Sequence, residues 1–281
     1  MIEAQLEFAS SRLSNQKFDE LDIKEEFIED AVSEFREALK RQLTPRESSF
    51  RLRMSNIGKP RCQLQKEKAG ATRNDMPYNH WMRMVHGDIT EILQTFLLRI
   101  SGADVTGGKQ KVSLKLGKYT VEGEDDIHID GKVYDIKSSA PWAFANKWSK
   151  GFNSLKESDD FGYIPQLVGY AKGQGKEAGG WIVMDKSTGG MKVVECDLST
   201  EEEAEILSKM KETATILDED RPFEKCFELE DETFRRVPTG KKKLAMTCTF
   251  CQFLSSCWPN AELRPQTKSQ AQNPRMVWYA E

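Results

Sequence analysis

Apolar residues return at helical spacing in two long stretches of the chain. The first stretch runs from about Asp22 to Leu43, and the second runs from about Pro77 to Ser101. The apolar positions are Ile23, Phe27, Ala31, Phe35 and Leu39 in the first stretch, and Val85, Ile89, Ile92, Leu93, Phe96, Leu97 and Ile100 in the second. Such spacing predicts two amphipathic helices.

Short β-type runs follow the second helix, with turn residues between them. Asp130-Gly131 separates two of these runs, and Asp-Gly is a strong signal for a β-hairpin. The predicted strands are Lys111–Leu116, Tyr119–Val121, Asp126–Asp130, Val133–Lys137, Trp181–Asp185 and Met191–Cys196, and the predicted helices are Tyr163–Lys172 and Ser199–Leu217, the latter capped by Ser199 or Thr200. This order predicts an α/β fold with one mixed central sheet flanked by helices.

Composition and charge limit the classes of protein to which this chain can belong. Of the 281 residues, 31% are charged and 38% hydrophobic, as in soluble globular proteins. The formal net charge is −4, so binding to nucleic acid requires a local basic surface. Lys241–Lys243 and the basic residues between Arg51 and Arg61 are candidates, although basic runs are more often solvated. The chain has neither a basic leader followed by an apolar run nor an apolar run of about 18 residues, so we expect a cytoplasmic protein.

The two strands around the Asp130-Gly131 turn carry two carboxylates and an amine. Side chains two residues apart on a strand share a face, so Asp135 and Lys137 point the same way while Ile136 points into the opposite layer. Asp126, on the preceding strand, approaches Asp135 laterally. Carboxylates that hold Mg²⁺ or Mn²⁺, with a lysine beside them, suit phosphodiester hydrolysis. For Asp-x-Lys alone, a solvated hairpin with a salt bridge is the commoner interpretation.

This stretch resembles the PD-(D/E)xK nuclease superfamily, and the Gly123-x-x-Asp126 arrangement resembles its RecB-like branch. In that branch a Gln-x-x-x-Tyr motif follows on the next helix, where this chain has Gln166 and Tyr170. The family usually has Glu where Asp135 stands, and aspartate has a shorter reach. The resemblance implies a restriction-endonuclease-like core that acts on DNA with Mg²⁺ or Mn²⁺. It implies metal ligands at Asp126, Asp135 and the Ile136 carbonyl, a catalytic lysine at Lys137, and DNA positioning by Gln166 and Tyr170.

The family also places a histidine or an acidic residue on the helix before the strands. His86 and Glu91 are the candidates. On a helical wheel, His86 lies about 57° from the centre of the apolar stripe and Glu91 about 163° from it. We therefore expect His86 to be the further metal ligand, with a hydrogen-bonded structural histidine as the alternative. A kink at Gly87 would change the direction of the Glu91 side chain, so Glu91 remains a second candidate for this ligand.

Three of the six cysteines, Cys248, Cys251 and Cys257, fall within ten residues. In a chain without an export signal, such clustering indicates ligands of a metal or cluster rather than disulfides. Cys-x2-Cys places two thiolates on one turn, and a fourth ligand must come from elsewhere. Zinc and an iron–sulfur cluster both satisfy this ligand count.

The same spacing resembles the iron–sulfur RecB-like nucleases, which include AddB-type helicase–nuclease subunits and CRISPR-associated exonucleases. In these proteins a cysteine ahead of the nuclease core supplies the fourth ligand, and Cys62 stands in that place. The resemblance implies a [4Fe–4S] cluster on Cys62, Cys248, Cys251 and Cys257, with zinc as the alternative occupant. Cys196 and Cys226 match nothing in the pattern, and we expect ordinary buried or free thiols there.

Together these features predict a metal-dependent DNA exonuclease that acts on single strands or duplex ends and is stabilised by an iron–sulfur cluster. The expected organisation is a helical N-terminal extension (1–57), a nuclease domain closed by a C-terminal cluster-binding segment (58–258) and a polar tail (259–281). Trp142, Phe144 and Trp148 either stack on bases or pack in the core. Two alternatives stay open: a non-catalytic DNA-binding or assembly subunit of nuclease fold, and a zinc-stabilised endonuclease.

Overall fold

The computed structural model describes residues 1–45 and 49–280, which divide into two compact units. The described part of the first unit comprises residues 1–45, 52–58 and 78–214, and that of the second comprises residues 49–51, 59–77 and 215–280. These units do not coincide with the predicted segments 1–57, 58–258 and 259–281. The difference arises because residues 59–77, early in the chain, join residues 215–280 in one unit.

The first unit is built on a mixed five-stranded sheet. Its strands are β1 (Val105–Gly107), β4 (Ile127–Ile129), β5 (Lys132–Ser139), β6 (Ala178–Asp185) and β7 (Met191–Glu195), in that spatial order. β5 and β6 run parallel, and the other neighbours are antiparallel. A separate hairpin pairs β2 (Lys111–Leu116) with β3 (Tyr119–Glu124).

Helices cover both faces of this sheet, and alternate residues of β5 enter the two resulting cores. Val133 faces the core under α7 (Tyr163–Gly173) and the β2–β3 hairpin. Ile136 faces the core under α1 (Ile2–Ser14) and α4 (His80–Ile100). The remaining helices of this unit are α2 (Glu25–Leu43), which packs on α4, the short α5 (Pro141–Asn146) and α6 (Phe152–Glu157), and α8 (Thr200–Asp218) up to Ala214.

The predicted fold class is confirmed at this level, as a mixed α/β sheet flanked by helices. Each predicted strand and helix of this unit is present, with ends that differ by up to three residues. Ser199 caps α8, since its Oγ accepts the Glu202 N–H while Glu202 accepts the Ser199 N–H, a reciprocal capping box. The pattern missed α1, whose Ile2 and Leu6 pack in the core with Ile136.

The apolar stripe predicted for α4 is only partly correct. Leu93 is 49% exposed, whereas Thr90 and Gln94 are completely buried. The reason is that α1, α2 and β5 all pack on α4, so its buried positions are spread around the helix. A wheel with a single inward face therefore does not decide between His86 and Glu91.

The second unit contains a small antiparallel sheet and single helical turns. In spatial order its strands are β10 (Glu262–Pro265), β11 (Met276–Tyr279), β9 (Val237–Lys243) and β8 (Glu230–Phe234), and its core centres on Leu244, Leu254 and Ala280. Its helical elements are α3 (Arg61–Lys68), α9 (Met246–Thr249) and α10 (Leu254–Cys257). Residues 259–280, expected to be a polar tail, thus supply two strands, because Val277 and Trp278 pair with Arg264 and Leu263.

The basic run at Lys241–Lys243 lies on β9. Lys242 and Lys243 form ion pairs with Asp231 and Glu230 of the neighbouring β8. Two of its three charges are therefore compensated within the sheet, which favours the solvated-surface interpretation. Among the described residues, no helix has both the length and the apolar character needed to cross a bilayer.

Candidate functional site

The β4–β5 hairpin brings Asp126 next to β5. Asp130 and Gly131 have φ values of 51° and 77°, as the predicted two-residue turn requires. Ile127 pairs with Tyr134, so Asp126 comes opposite Asp135. The Asp126 Oδ2 accepts a hydrogen bond from the Ile136 N–H at 2.8 Å, which fixes its carboxylate against β5.

Asp135 and Lys137 share the face of β5 that turns toward α7, and their charged groups meet. Lys137 Nζ lies 2.5 Å from Asp135 Oδ2. Burial lowers the pKa of the Lys137 ammonium, but the carboxylates of Asp135 and Asp126 outweigh burial and raise this pKa above its ordinary value. Lys137 is therefore a fixed positive charge beside two carboxylates.

Asp135 is a deeply buried carboxylate. It is only 2% exposed, and in the described part of the chain neither of its oxygens accepts a hydrogen bond of good geometry. Burial raises its pKa to about 7, since the opposing attraction of Lys137 is offset by repulsion from Asp126. Because burial outweighs the attraction of Lys137, a further cation beside Asp135 would favour its ionised form. This is the environment that a metal ligand needs.

Asp135 gives the metal-free protein a defined pH dependence. Its pKa rises from 3.8 to about 7 on folding, so between these values the folded protein retains a proton that the unfolded chain releases. We expect the contribution of Asp135 to the free energy of unfolding to fall as pH rises from 3.8 to about 7. Denaturant titrations with a chelator present, on wild type and Asp135→Asn, measure this contribution as the difference between the two proteins. A difference that is flat or increases with pH contradicts the assignment.

Gln166 and Tyr170 lie on α7, and the structure brings Tyr170 to the carboxylates. Burial raises the pKa of Tyr170 to about 12, although a hydrogen bond with Gln166 lowers it, and the charges of Asp126 and Asp135 act on the same hydroxyl. The predicted pair of side chains on α7 is thus hydrogen-bonded, and its Tyr170 hydroxyl lies close enough to both acidic residues to interact with their charges.

Gly123 packs against the Tyr170 ring. A Cβ at position 123 would lie 2.6 Å from Met54 Cβ and 2.8 Å from Tyr170 Cε1, both closer than real contacts allow. The Gly123-x-x-Asp126 arrangement therefore has a steric reason, because only glycine lets the Tyr170 ring lie against β3. Glycine at position 123 therefore allows the Tyr170 ring to lie beside Asp126 and Asp135.

Replacing Gly123 by alanine is expected to displace Tyr170 and to destabilise the protein by about 1–3 kcal/mol, as overpacking does. Urea unfolding measures the change. Gly87→Ala is the matched control, because its Cβ would be 4.0 Å from Ser138 Oγ and it lies inside α4. The control is expected to stabilise by up to about 1 kcal/mol. Equal stability of Gly123→Ala and wild type would refute the packing argument.

Tyr163 belongs to this site, although the sequence analysis did not identify it. The Lys137 Nζ lies 5.5 Å from the centroid of the Tyr163 ring. Burial raises the pKa of Tyr163 to about 12, although Lys137 opposes this. Asp159 fixes the start of α7 by accepting the N–H groups of Tyr163 and Ile164, each at 2.8 Å. The position of Asp159 ahead of a helix is a capping signal that a sequence reading can use.

His86 and Glu91 have different surroundings. The His86 Nδ1 lies 3.3 Å from Thr90 Oγ1, one turn along the same helix. Glu91 forms an ion pair with Lys109 and lines a cleft together with Glu124. Within residues 1–45 and 49–280, no three His, Cys, Asp or Glu side chains are arranged to hold a metal ion as they stand. The structure therefore does not join His86 to the two aspartates, and its role stays a prediction.

The three aromatic residues after β5 separate into core and surface. Trp148 is buried, with its ring 5.5 Å from that of Tyr163 and 6.3 Å from that of Trp181. Phe144 packs against the same core. Core packing is thus the role of both, and stacking on bases is wrong for Trp148. Trp142 is 75% exposed.

Four cysteines line one cavity of the second unit. They are Cys62, Cys248, Cys251 and Cys257, the four predicted cluster ligands, and Phe253, Leu254 and Trp258 complete much of the wall. Burial raises the pKa of Cys248 to about 11, and the charges of neighbouring thiols add to this effect. Their number equals that of the ligands an iron–sulfur cluster or zinc takes, although the four thiols are not drawn together around one point as they stand.

Cys226, expected to be an ordinary thiol, contacts one of these four cysteines. The Cys62 N–H donates to the Cys226 Sγ at 3.0 Å. Its neighbour Phe227 lines the cavity. The sequence around Cys226 does not predict this contact with Cys62, because the segment between α8 and β8 approaches α3 only in the folded protein. Cys196 lies in the first unit and is half-buried, in keeping with an ordinary thiol.

Comparison with known proteins does not identify a family. No family model matches the chain, and no curated protein matches it. The solved structure of SSO0001 covers 78% of this chain and 92% of its own, with 15% sequence identity and a TM-score of 0.39. A similarity at this level carries no argument about fold or activity.

Proposed function

We propose that this chain is a metal-dependent DNA nuclease with a restriction-endonuclease-like core of the RecB-like PD-(D/E)xK type. The observation that carries the proposal is the environment of Asp135, a buried carboxylate that lies beside Asp126 and 2.5 Å from the Lys137 ammonium. A salt bridge on a solvated hairpin would leave the carboxylate exposed. Burial of this pair is more compatible with a catalytic site than with a surface contact.

Asp126, Asp135 and the Ile136 carbonyl would hold Mg²⁺ or Mn²⁺, and His86 is the proposed further ligand. The divalent ion supplies charge neutralisation of the scissile phosphate and lowers the pKa of bound water. The hydrogen bond from the Ile136 N–H orients the Asp126 carboxylate toward β5. Asp135 must release its proton and its contact with Lys137 to serve as a ligand.

Lys137 is the proposed catalytic lysine. Its ammonium, kept protonated by Asp135 and Asp126, places positive charge where the phosphate gains negative charge during hydrolysis. The ring of Tyr163 lies against this ammonium and limits where it can turn. Gln166 and Tyr170 position the DNA strand on the adjacent helix face.

The four cysteines at the cavity of the second unit would hold a [4Fe–4S] cluster, with zinc as the alternative. Phe253, Leu254 and Trp258 form an apolar part of the wall beside these cysteines. Single strands or duplex ends of DNA are the proposed substrate, and exonucleolytic cleavage is the proposed activity.

Cleavage of end-labelled single- and double-stranded DNA with Mg²⁺ or Mn²⁺ tests the proposal. We expect shortening of the labelled strand from its ends, complete loss of cleavage with a chelator, and loss of both cleavage and Mn²⁺ binding in Asp135→Asn. Asp130→Asn, in the exposed hairpin turn, is the matched control and is expected to retain both. Cleavage that survives chelation, or an active Asp135→Asn protein, would refute the proposed site.

A further inference from the structure

Four cysteines line the cavity of the second unit and a fifth contacts one of them, whereas a four-iron cluster or a zinc ion takes four. Cys248, Cys251 and Cys257 come from the C-terminal Cys-x2-Cys-x5-Cys segment. Two further thiols, Cys62 on α3 and Cys226 before β8, lie outside that segment. Their mutual contact is direct, with the Cys62 N–H 3.0 Å from the Cys226 Sγ.

The segment that carries Cys226 contacts α3 through an ion pair, a cation–π contact and two hydrogen bonds. Glu224 pairs with Arg61 at 2.8 Å, and Lys66 Nζ lies 4.4 Å from the Phe223 ring centroid. Gln65 Nε2 donates to the carbonyls of Arg221 and Pro222, each at 3.1 Å. Four consecutive residues, Arg221 to Glu224, thus contact α3. Cys226 is held beside Cys62 by its own neighbours.

The same segment also contacts Trp258, the residue after the C-terminal Cys-x2-Cys-x5-Cys segment. Lys225 Nζ lies 3.5 Å from the centroid of the Trp258 ring, next to Cys257. Through its neighbour Lys225, Cys226 is therefore linked to the residue that directly follows Cys257. The segment from Arg221 to Phe227 contains no strand or helix, so no ladder of hydrogen bonds fixes the Cys226 backbone.

We propose that Cys62 and Cys226 share the fourth ligand position of the cysteine centre, so that either thiolate completes it. The proposal rests on the proposed cysteine centre. When one thiolate binds the metal, the other stays beside it as a reserve ligand. The exchange moves one metal–sulfur bond from one thiolate to the other, and a proton passes to the displaced sulfur, with no change of oxidation state. Such an arrangement protects the centre against the loss of one ligand.

The test uses the full chain purified without oxygen, as wild type, Cys62→Ser, Cys226→Ser, the double variant, Cys248→Ser and Cys196→Ser. Iron, acid-labile sulfide and zinc per chain are measured together with the absorbance near 400 nm, and circular dichroism checks folding. We expect each of the two single variants to keep most of the wild-type metal, and the double variant to fall to the level of Cys248→Ser. Cys196→Ser, a cysteine of the first unit, is expected to match wild type.

Three results would overturn the sharing of this position. If the metal content of Cys62→Ser alone falls to that of Cys248→Ser, Cys226 cannot replace Cys62 as a ligand. If the metal content of Cys226→Ser alone falls to that of Cys248→Ser, Cys226 by itself is the fourth ligand. A double variant that retains the wild-type metal means that neither thiol binds it. A wild-type protein without iron or zinc refutes the cysteine centre itself, and cleavage of DNA then tests the nuclease proposal independently.

Discussion

Lys137→Ala is expected to lower the cleavage rate by on the order of 10²–10³, the effect typical of removing one group that stabilises transition-state charge. The ammonium lies 2.5 Å from Asp135 and faces the two carboxylates proposed to hold the metal. Because alanine leaves the carboxylates in place, Mn²⁺ binding is expected to persist. Single-turnover cleavage of labelled DNA at saturating Mn²⁺ measures the loss.

Lys132→Ala is the matched control for Lys137→Ala. Lys132 lies on the same strand and also forms an ion pair, at 3.1 Å with Glu177, but it is exposed at the far end of β5. The control is expected to cleave at the wild-type rate. Equal rates for Lys137→Ala and wild type would remove Lys137 from the mechanism, whereas loss of Mn²⁺ binding would make it a structural residue.

Lys137→Ala also removes the positive partner of a buried carboxylate. Breaking such a pair commonly destabilises a protein by about 3–5 kcal/mol. Circular dichroism and urea unfolding at pH 8 therefore accompany the kinetics. The double variant Lys137→Ala/Asp135→Asn is expected to recover stability without recovering cleavage, which separates a folding defect from a catalytic one.

Cys248→Ser is expected to abolish the metal content of the cysteine centre and to loosen the second unit. The apolar cluster at the centre of this unit is small, with Leu244, Leu254 and Ala280 as its buried members. In small domains of this kind the free energy of metal binding is largely free energy of folding. Limited proteolysis is expected to cut the variant faster within residues 59–77 and 215–280.

Cys196→Ser is the matched control, since it also replaces a half-buried thiol but lies in the first unit. Its metal content and proteolysis pattern are expected to equal those of wild type. Wild-type metal content in Cys248→Ser would contradict the ligand assignment. Loss of metal with an unchanged proteolysis pattern would show that the second unit is stable without the centre.

Local patterns predicted the elements that carry the candidate site. The alternation along Val133–Lys137 fixed which side chains share a face, because the period of a strand is two residues whatever packs on it. The Asp130-Gly131 pair fixed the hairpin and its register, since both residues adopt positive φ. The four-residue spacing of Gln166 and Tyr170 placed both on one face of α7.

The sequence could not predict what depends on distant packing. Tyr163 and Gly123 join the site only because α7 folds onto the sheet, and no periodicity in either segment records that contact. The orientation of α4 was misjudged because three elements pack on it, whereas a wheel assumes one.

The sequence by itself determined the hairpin, the order of elements and the face shared by Asp135 and Lys137, because these follow from backbone period and turn conformation. Only the tertiary structure decided that Asp135 is buried beside Lys137, which is what turns a common Asp-x-Lys pattern into a candidate metal site. It also brought Cys226 to Cys62 across 164 positions of sequence. Burial and long-range proximity are properties of the folded whole, because both depend on contacts between segments that are distant in sequence.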